Sequence, residues 1–336
     1  MSGQKEPVLG IILGDHAGSS PELAAKLILN KKDPYIPVLV GNRARFEISR
    51  KAVDGAEKIE IIPWTAKNRP ESCKSMAVYF YNVDAGPDIE FGKVTEDSGK
   101  LQYESMKTAI DLEKEGKLDG ILMAPITKSG LHVAGNSFSS EFEVFGYLYH
   151  TGRDAASVLK CGNYFRATVV GHCPFKDIAK QITKESIIAT SHRLLKHMRY
   201  FCTPEECTIA IAALNPHAGE NGLFGDEEMT IIKPAIESLT AEGYNVQGPW
   251  PADTALNKIL QGAAKGIVYL YHDQGNIAMK ANSFGQIVLI YVDIPGLIVS
   301  VGHGPAYGKA GKGTADPTNM IEAVGVLYQI AKQRMK

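Results

Sequence analysis

The chain has 336 residues, of which 44% are apolar and 22% charged, with a formal net charge of −1. That length exceeds what one hydrophobic core usually fills, so two domains or lobes are expected. The near-neutral balance argues against a nucleic-acid or anionic-membrane partner. The five cysteines (Cys73, Cys161, Cys173, Cys202, Cys207) form no CxxC pair and no even framework. This suits reduced thiols and a cytoplasmic setting. Met1 to Pro7 is short and polar, and no apolar run nears the ~18 residues of a membrane span, so neither a secretion signal nor a span is expected.

In chain order, Val8–Leu13 reads as a strand that runs into Gly14-Asp15-His16-Ala17-Gly18-Ser19-Ser20-Pro21. A helix is predicted from about Glu22 to Leu29, with Ser20 as N-cap and Pro21 at the first helical position. Pro37–Val40 is a second strand ending at Gly41-Asn42, with a helix after it, and Ile59–Ile62 is a third strand. Pro63 to Asp97 gives no regular pattern. Apolar spacing at Met106, Ala109, Ile110 and Leu112 predicts a helix over about 104–115. It leads into Asp119–Pro125, a buried-type strand ending in a turn. Strand, turn and helix then alternate almost to the C-terminus, which predicts a mostly parallel α/β architecture. No repeat, low-complexity stretch or linker marks a boundary.

Three histidines follow apolar strand-like runs. His172 lies in Gly171-His172-Cys173-Pro174, His217 in Asn215-Pro216-His217-Ala218-Gly219, and His272 in Tyr271-His272-Asp273-Gln274-Gly275. Strand ends are where α/β proteins place their chemistry. Three neutral imidazoles with an open position make a catalytic divalent-metal site, although the spacing carries no HExxH or CxxC signature. Asp273 and Asp253 are candidates to orient a ligand imidazole or to act as a base. Asp253 also reads as the N-cap of a helix.

The segment from His303 to Pro317 is the second informative stretch. It is rich in glycine, which lets a backbone approach a ligand closely, and its basic composition also fits a plain surface loop. His303 is placed to stack on or hydrogen-bond a base. A helix starts near Pro317, capped by Asp316. No GxGxxG turn follows the first strand, so any nicotinamide cofactor requires a non-Rossmann site.

These pieces resemble the 4-hydroxythreonine-4-phosphate dehydrogenase family of vitamin B6 biosynthesis and its paralogues, over nearly the whole length. The resemblance rests on Asn215–Glu220 with Phe224-Gly225, Pro251-Ala252-Asp253-Thr254, Tyr271–Gly275, and His303-Gly304 with Ala310-Gly311. It implies an isocitrate/isopropylmalate dehydrogenase-like subunit of two α/β/α domains with the active site in the cleft. The cofactor-side domain would be residues 1–128 plus about 273–336, and the metal- and dimer-forming domain about 129–272. It further implies a homodimer with a metal site completed across the interface. The ligands would be His172, His217 and His272. One divalent ion would bind per site, with zinc foremost among the metals that imidazole suits. NAD or NADP would lie along His303, Gly304, Ala310, Gly311 and Asp316, and Lys280 would contact substrate. The family's first loop reads Gly-Asp-Pro-Ala-Gly-Ile-Gly-Pro-Glu, whereas here His16, Ser19 and Ser20 intervene. A substrate-contacting His-Thr pair is replaced by Glu141 and Phe142, and a substrate-holding asparagine and arginine by Leu289 and Ile298. Losing such charge-assisted bonds removes roughly 1.5–3 kcal/mol each. An altered substrate is therefore expected: another 4-phosphorylated four-carbon hydroxy acid such as phospho-threonate or phospho-erythronate, or a cyclic cis-dihydrodiol acid.

The reaction this implies is oxidation of a secondary alcohol β to a carboxylate, with hydride passing to NAD(P)+ and carbon dioxide leaving. Asp253 or Asp273 would be the base and Lys280 would stabilise developing charge. Two other readings fit part of the pattern. One is a phosphate acyltransferase-type enzyme on a related fold, which needs no histidine triad. The other is a paralogue that has kept the fold and lost the chemistry.

Overall fold

The computed structural model describes residues 5–138, 140–283 and 285–336. The chain forms two units, Met1–Ala156 with Val288–Lys336, and Ser157–Ile287. The strands are β1 (Val8–Ile12), β2 (Ile36–Gly41), β3 (Glu60–Pro63), β4 (Ala77–Asn82), β5 (Gly120–Met123), β6 (Ala156–Cys161), β7 (Tyr164–Val170), β8 (Ile209–Ala212), β9 (Val246–Trp250), β10 (Gly266–Tyr271), β11 (Ile287–Val292) and β12 (Ile298–Val301).

In the first unit the strand order is β3-β4-β2-β1-β5-β12-β11, parallel except for the β11–β12 pair. Every residue of β1, β2 and β5 is buried, which is why they read as unbroken apolar runs rather than alternating ones. Each fully buried Leu or Ile there contributes about 1.5–3 kcal/mol. Strand β4 lies inside the stretch that gave no sequence pattern. Two other expectations change. The long helix begins at Glu96, well before residue 104, because Thr95 and Ser98 form a reciprocal capping box. The first helix spans Ser20–Leu29 with Ser19 at the cap position. Ser20 does not cap it; its hydroxyl donates instead to the Pro125 carbonyl at 2.8 Å.

In the second unit β10 lies between β7 and β8, parallel to both, with β9 parallel to β8 beyond and β6 antiparallel to β7. Three adjacent parallel strands therefore end on one edge. Their ends feed the turn of His172 after β7, the turn of His217 after β8, and His272 at the start of the helix His272–Ser283 after β10. This is the edge on which open parallel sheets place ligands.

Candidate active site

The rings of His172 and His272 lie 4.7 Å apart, centroid to centroid. His272 is half-exposed, and both its nitrogens are engaged. Nδ1 is 2.7 Å from the Asp273 carboxylate, and Nε2 is 2.6 Å from the Asn276 side-chain nitrogen. The rest of the motif anchors the helix start. The Gln274 amide accepts from the Leu270 N–H at 2.9 Å and donates to the Ala213 carbonyl at 2.8 Å, tying the ends of β10 and β8 together. Gly275 packs against Arg166, where a Cβ would sit 2.0 Å from a guanidinium nitrogen.

His217 lies in an unusual backbone. Residues His217, Ala218, Gly219, Glu220 and Asn221 all have left-handed φ, between 42° and 78°. For non-glycine residues that conformation costs roughly 1–2 kcal/mol each, so something must hold it. The carboxylate of Glu228, fully buried, accepts from the N–H groups of Leu214 (2.8 Å) and Asn215 (2.7 Å) and from the Asn215 side chain (2.9 Å). The strained turn is thus fixed at its root and presents His217 to solvent, its ring 6.4 Å from Phe224. Among the described residues of one chain, no three His, Cys, Asp or Glu side chains stand close enough together to hold a metal. The chain brings two of the three expected ligands into contact, and a third donor is needed to complete a site.

Asp253 is exposed in the first turn of the helix Ala252–Leu260, where Pro251 and not Asp253 takes the cap position. Lys280 is exposed on the helix that His272 begins.

In the first unit, the glycine-rich segment is pinned from the Ser20–Leu29 helix. Glu22 accepts from the N–H groups of Gly311 and, at 2.8 Å, Gly313. Burial pushes the Glu22 carboxyl up, and those two amides partly offset it. Lys26 donates to the carbonyls of Gly313 and Ala315 at 2.7 and 2.6 Å. Both the N–H and the hydroxyl of Ser19 donate to the Pro305 carbonyl, at 2.8 and 3.0 Å. Tyr307 donates to Asp15. His303 Nδ1 is 3.0 Å from the Gly304 carbonyl, and Ala310 is buried. Asp316 accepts from both the N–H and hydroxyl of Thr318, which holds its carboxyl below the usual range, while Pro317 takes the cap position. The segment is an ordered platform in which Gly304 and Gly308 border open space.

Four of the five positions where the resemblance expects substrate contacts, all but Lys280, lie in this unit. Glu141 begins the helix Glu141–Leu148; its carboxylate accepts from Tyr291 at 3.4 Å and stands 3.7 Å from Lys128. Phe142 packs on the Tyr291 ring at 5.4 Å. Leu289 is half-buried at the core margin, whereas Ile298 has no exposed surface and serves the core itself.

Sequence reasoning passed over Glu228, Gln274, Asn276, Arg166, Glu22 and Lys26. Glutamates and lysines inside helix patterns read as solvent-facing. Only the neighbouring motifs (Asn215-Pro216-His217 and the glycine segment) hinted that a buried carboxylate was needed to satisfy their amides.

The family described as pyridoxal phosphate biosynthetic protein PdxA matches residues 34–327. The D-threonate 4-phosphate dehydrogenase of Cupriavidus necator is 32% identical over 339 residues, covering 98% of this chain and 98% of that one. The crystal structure of a 4-hydroxythreonine-4-phosphate dehydrogenase from Klebsiella pneumoniae superposes with a TM-score of 0.82 at 27% identity, over 98% of this chain and 100% of that one. A β-decarboxylating dehydrogenase from Thermococcus kodakarensis shares the fold, with a TM-score of 0.51 at 14% identity, over 96% of this chain and 83% of that one.

Proposed function

This chain belongs to the PdxA family of dehydrogenases, and we propose that it is a metal-dependent, NAD(P)-linked enzyme that oxidises a secondary alcohol β to a carboxylate, with decarboxylation. The observation that carries this reading is the contact of His172 with His272 at the ends of adjacent strands, beside the strained turn of His217. Two imidazoles fit a divalent ion, and the Asp273 carboxylate on Nδ1 is the outer-shell partner a ligating histidine usually has. His217 is the proposed third ligand, brought in by a second copy of the chain in a homodimer. Phe175, Leu223, Phe224 and Ile277, all exposed in the unit that carries the histidines, are the apolar surface such a dimer would cover. A bound ion supplies charge stabilisation for an oxygen losing its proton.

The residues of the chain have separate tasks in this scheme. Asp253, exposed and free of the imidazole, is the proposed base; Asp273 orients His272. Lys280 faces the negative charge left when carbon dioxide departs. The segment with His303, Gly304, Ala310, Gly311 and Asp316 holds NAD or NADP, kept in shape by Glu22 and Lys26. A nicotinamide held there would supply the hydride acceptor, and the protein's share is orientation and charge.

For substrate, the name of the Cupriavidus relative supports a 4-phosphorylated four-carbon hydroxy acid such as phospho-threonate. One observation favours an unphosphorylated substrate such as a cyclic cis-dihydrodiol acid: Phe142 and Leu289 offer no charged donor, and Glu141 adds a carboxylate. The test is formation of reduced nicotinamide by zinc-loaded protein with each acid and each cofactor. Reduction with a phosphorylated acid, abolished by His217→Ala, is expected. Activity in chelated His217→Ala equal to wild type, or no reduction with either substrate class, would overturn the reading.

A further inference from the structure

We propose that Arg166 sets which nitrogen of His272 carries the proton, acting through the side-chain amide of Asn276. Arg166 lies on β7, is 3% exposed, and donates from Nη2 to Asn276 Oδ1 at 2.7 Å. Its Nε and Nη1 have no hydrogen-bond partner among the described residues. The charged or titratable groups that bear on it are Cys161, Tyr164 and Tyr269, and none is a carboxylate. A buried guanidinium without a counter-ion is costly, so its single directed bond calls for a reason.

The reason lies in donor and acceptor bookkeeping. A guanidinium has donors and no acceptor. The amide oxygen of Asn276 must therefore face Arg166, because the reversed amide would oppose two donors. That leaves the amide N–H2 facing His272 Nε2 at 2.6 Å. Nε2 must then accept, and a neutral imidazole must carry its proton on Nδ1, which lies 2.7 Å from Asp273 Oδ1. The Asp273 side chain is 73% exposed, so water competes for that contact and it fixes the ring weakly. The Arg166 end is sealed. Gly275 lies directly on Nη1, so no side chain intervenes between helix and guanidinium. The relay keeps Nε2 free of a proton, so a metal that takes the place of the Asn276 N–H meets a lone pair there. Arg166 and Asn276 are thus positioning residues, and the inference rests on the reading of His272 as a ligand only for its purpose, not for its geometry.

The test uses metal-free, full-length protein with 15N-labelled histidine, above about pH 8 so that ordinary imidazoles are neutral. The His272 signals are assigned by their loss in His272→Gln. In an Asp273→Ala background, which removes the exposed carboxylate, His272 is expected to keep the Nδ1–H form. Adding Arg166→Met frees the amide to turn, and the Nε2 signal is expected to move to the protonated range. Arg166→Lys, still a donor without an acceptor, is expected to hold it. Asn276→Leu breaks the same relay at a half-buried helix position, so the test survives if Arg166→Met does not fold. The proposal fails if Asp273→Ala alone loses the Nδ1–H form, or if neither Arg166→Met nor Asn276→Leu moves the Nε2 signal. Zinc affinity is measured in parallel. A tautomer that follows Arg166 in a protein that never binds zinc would leave the relay standing and sink the metal reading instead.

Discussion

His16 and His272 both lie just beyond strands and both have two occupied ring nitrogens, yet their surroundings differ in kind. His16 is completely buried, with Nδ1 on the Gly14 carbonyl and Nε2 accepting from the Asn42 N–H, each at 3.1 Å. His272 has 39% of its side chain exposed and is held by Asp273 and Asn276. Main-chain partners cannot turn away, so His16 is a fixed part of its loop. Side-chain partners can rotate, so His272 can exchange one partner for another. The difference teaches how to separate structural from chemical histidines when the sequence shows both beside glycine: ask whether the partners are able to leave.

The largest effect expected from this contrast is acid sensitivity at His16. Burial first, and then nearby Arg45, hold its imidazole down to about 4, against an ordinary 6.5. Below pH 6.5 the unfolded chain takes up a proton that the folded chain refuses. Stability is therefore full above pH 6.5 and falls as the pH drops toward 4, by up to about 1.4 kcal/mol per pH unit and on the order of 3 kcal/mol in all. Denaturant unfolding at a series of pH values measures it. His16→Gln can keep both hydrogen bonds without titrating, so it is expected to flatten the slope over this window. An unchanged slope would break the comparison, because His16 would then not be the sealed partner.

Much of this was readable in the residues. The three histidine turns, the strands before them and the parallel order follow from apolar runs that end in glycine, proline and polar residues. The platform of the glycine segment was readable as a loop, but not its rigidity. That comes from Glu22 and Lys26, which helix periodicity treats as ordinary polar positions and which only tertiary packing brings onto Gly311 and Gly313. Strand β4 (Ala77–Asn82) was missed although the Gly86-Pro87 turn signal follows it. His16 shows the same limit. Its Nε2 is met by the N–H of Asn42, a residue 26 positions away.

Two glycines sharpen the contrast at smaller scale. A Cβ at Gly41 would come within 2.7 Å of His16 Nε2 and 2.9 Å of Leu13, both fully buried. Gly41→Ala is expected to cost about 2 kcal/mol, as overpacking of a closed core does, and to leave zinc binding alone. A Cβ at Gly275 meets the buried Arg166 guanidinium at 2.0 Å and the buried Tyr269 ring at 3.0 Å. Gly275→Ala is expected to cost about 1–3 kcal/mol, as overpacking does, and also to change zinc affinity, because the start of the helix that carries His272 must move off Arg166. Thermal unfolding and zinc titration of both variants separate the two cases. Equal stability losses with unchanged zinc affinity would show that the His272 network is as fixed as the His16 network.

The smallest effect is expected at Ser19, where a main-chain partner again makes the difference. The Pro305 carbonyl receives two donors, the Ser19 hydroxyl at 3.0 Å and the Ser19 N–H at 2.8 Å. Ser19→Ala removes the first and leaves the second, so the buried carbonyl stays satisfied and no desolvation cost is exposed. The loss is then the net value of one neutral hydrogen bond, about 0.5 kcal/mol at the low end of the usual range. Ser19 also stands at the cap position of the Ser20–Leu29 helix without making a side-chain cap bond, so no capping energy adds to it. Denaturant midpoints resolve a change of this size when the unfolding slope is unchanged. A loss above about 1.5 kcal/mol would mean that the hydroxyl, and not the backbone, holds the first loop to Pro305, and the distinction drawn between His16 and His272 would lose its footing in this unit.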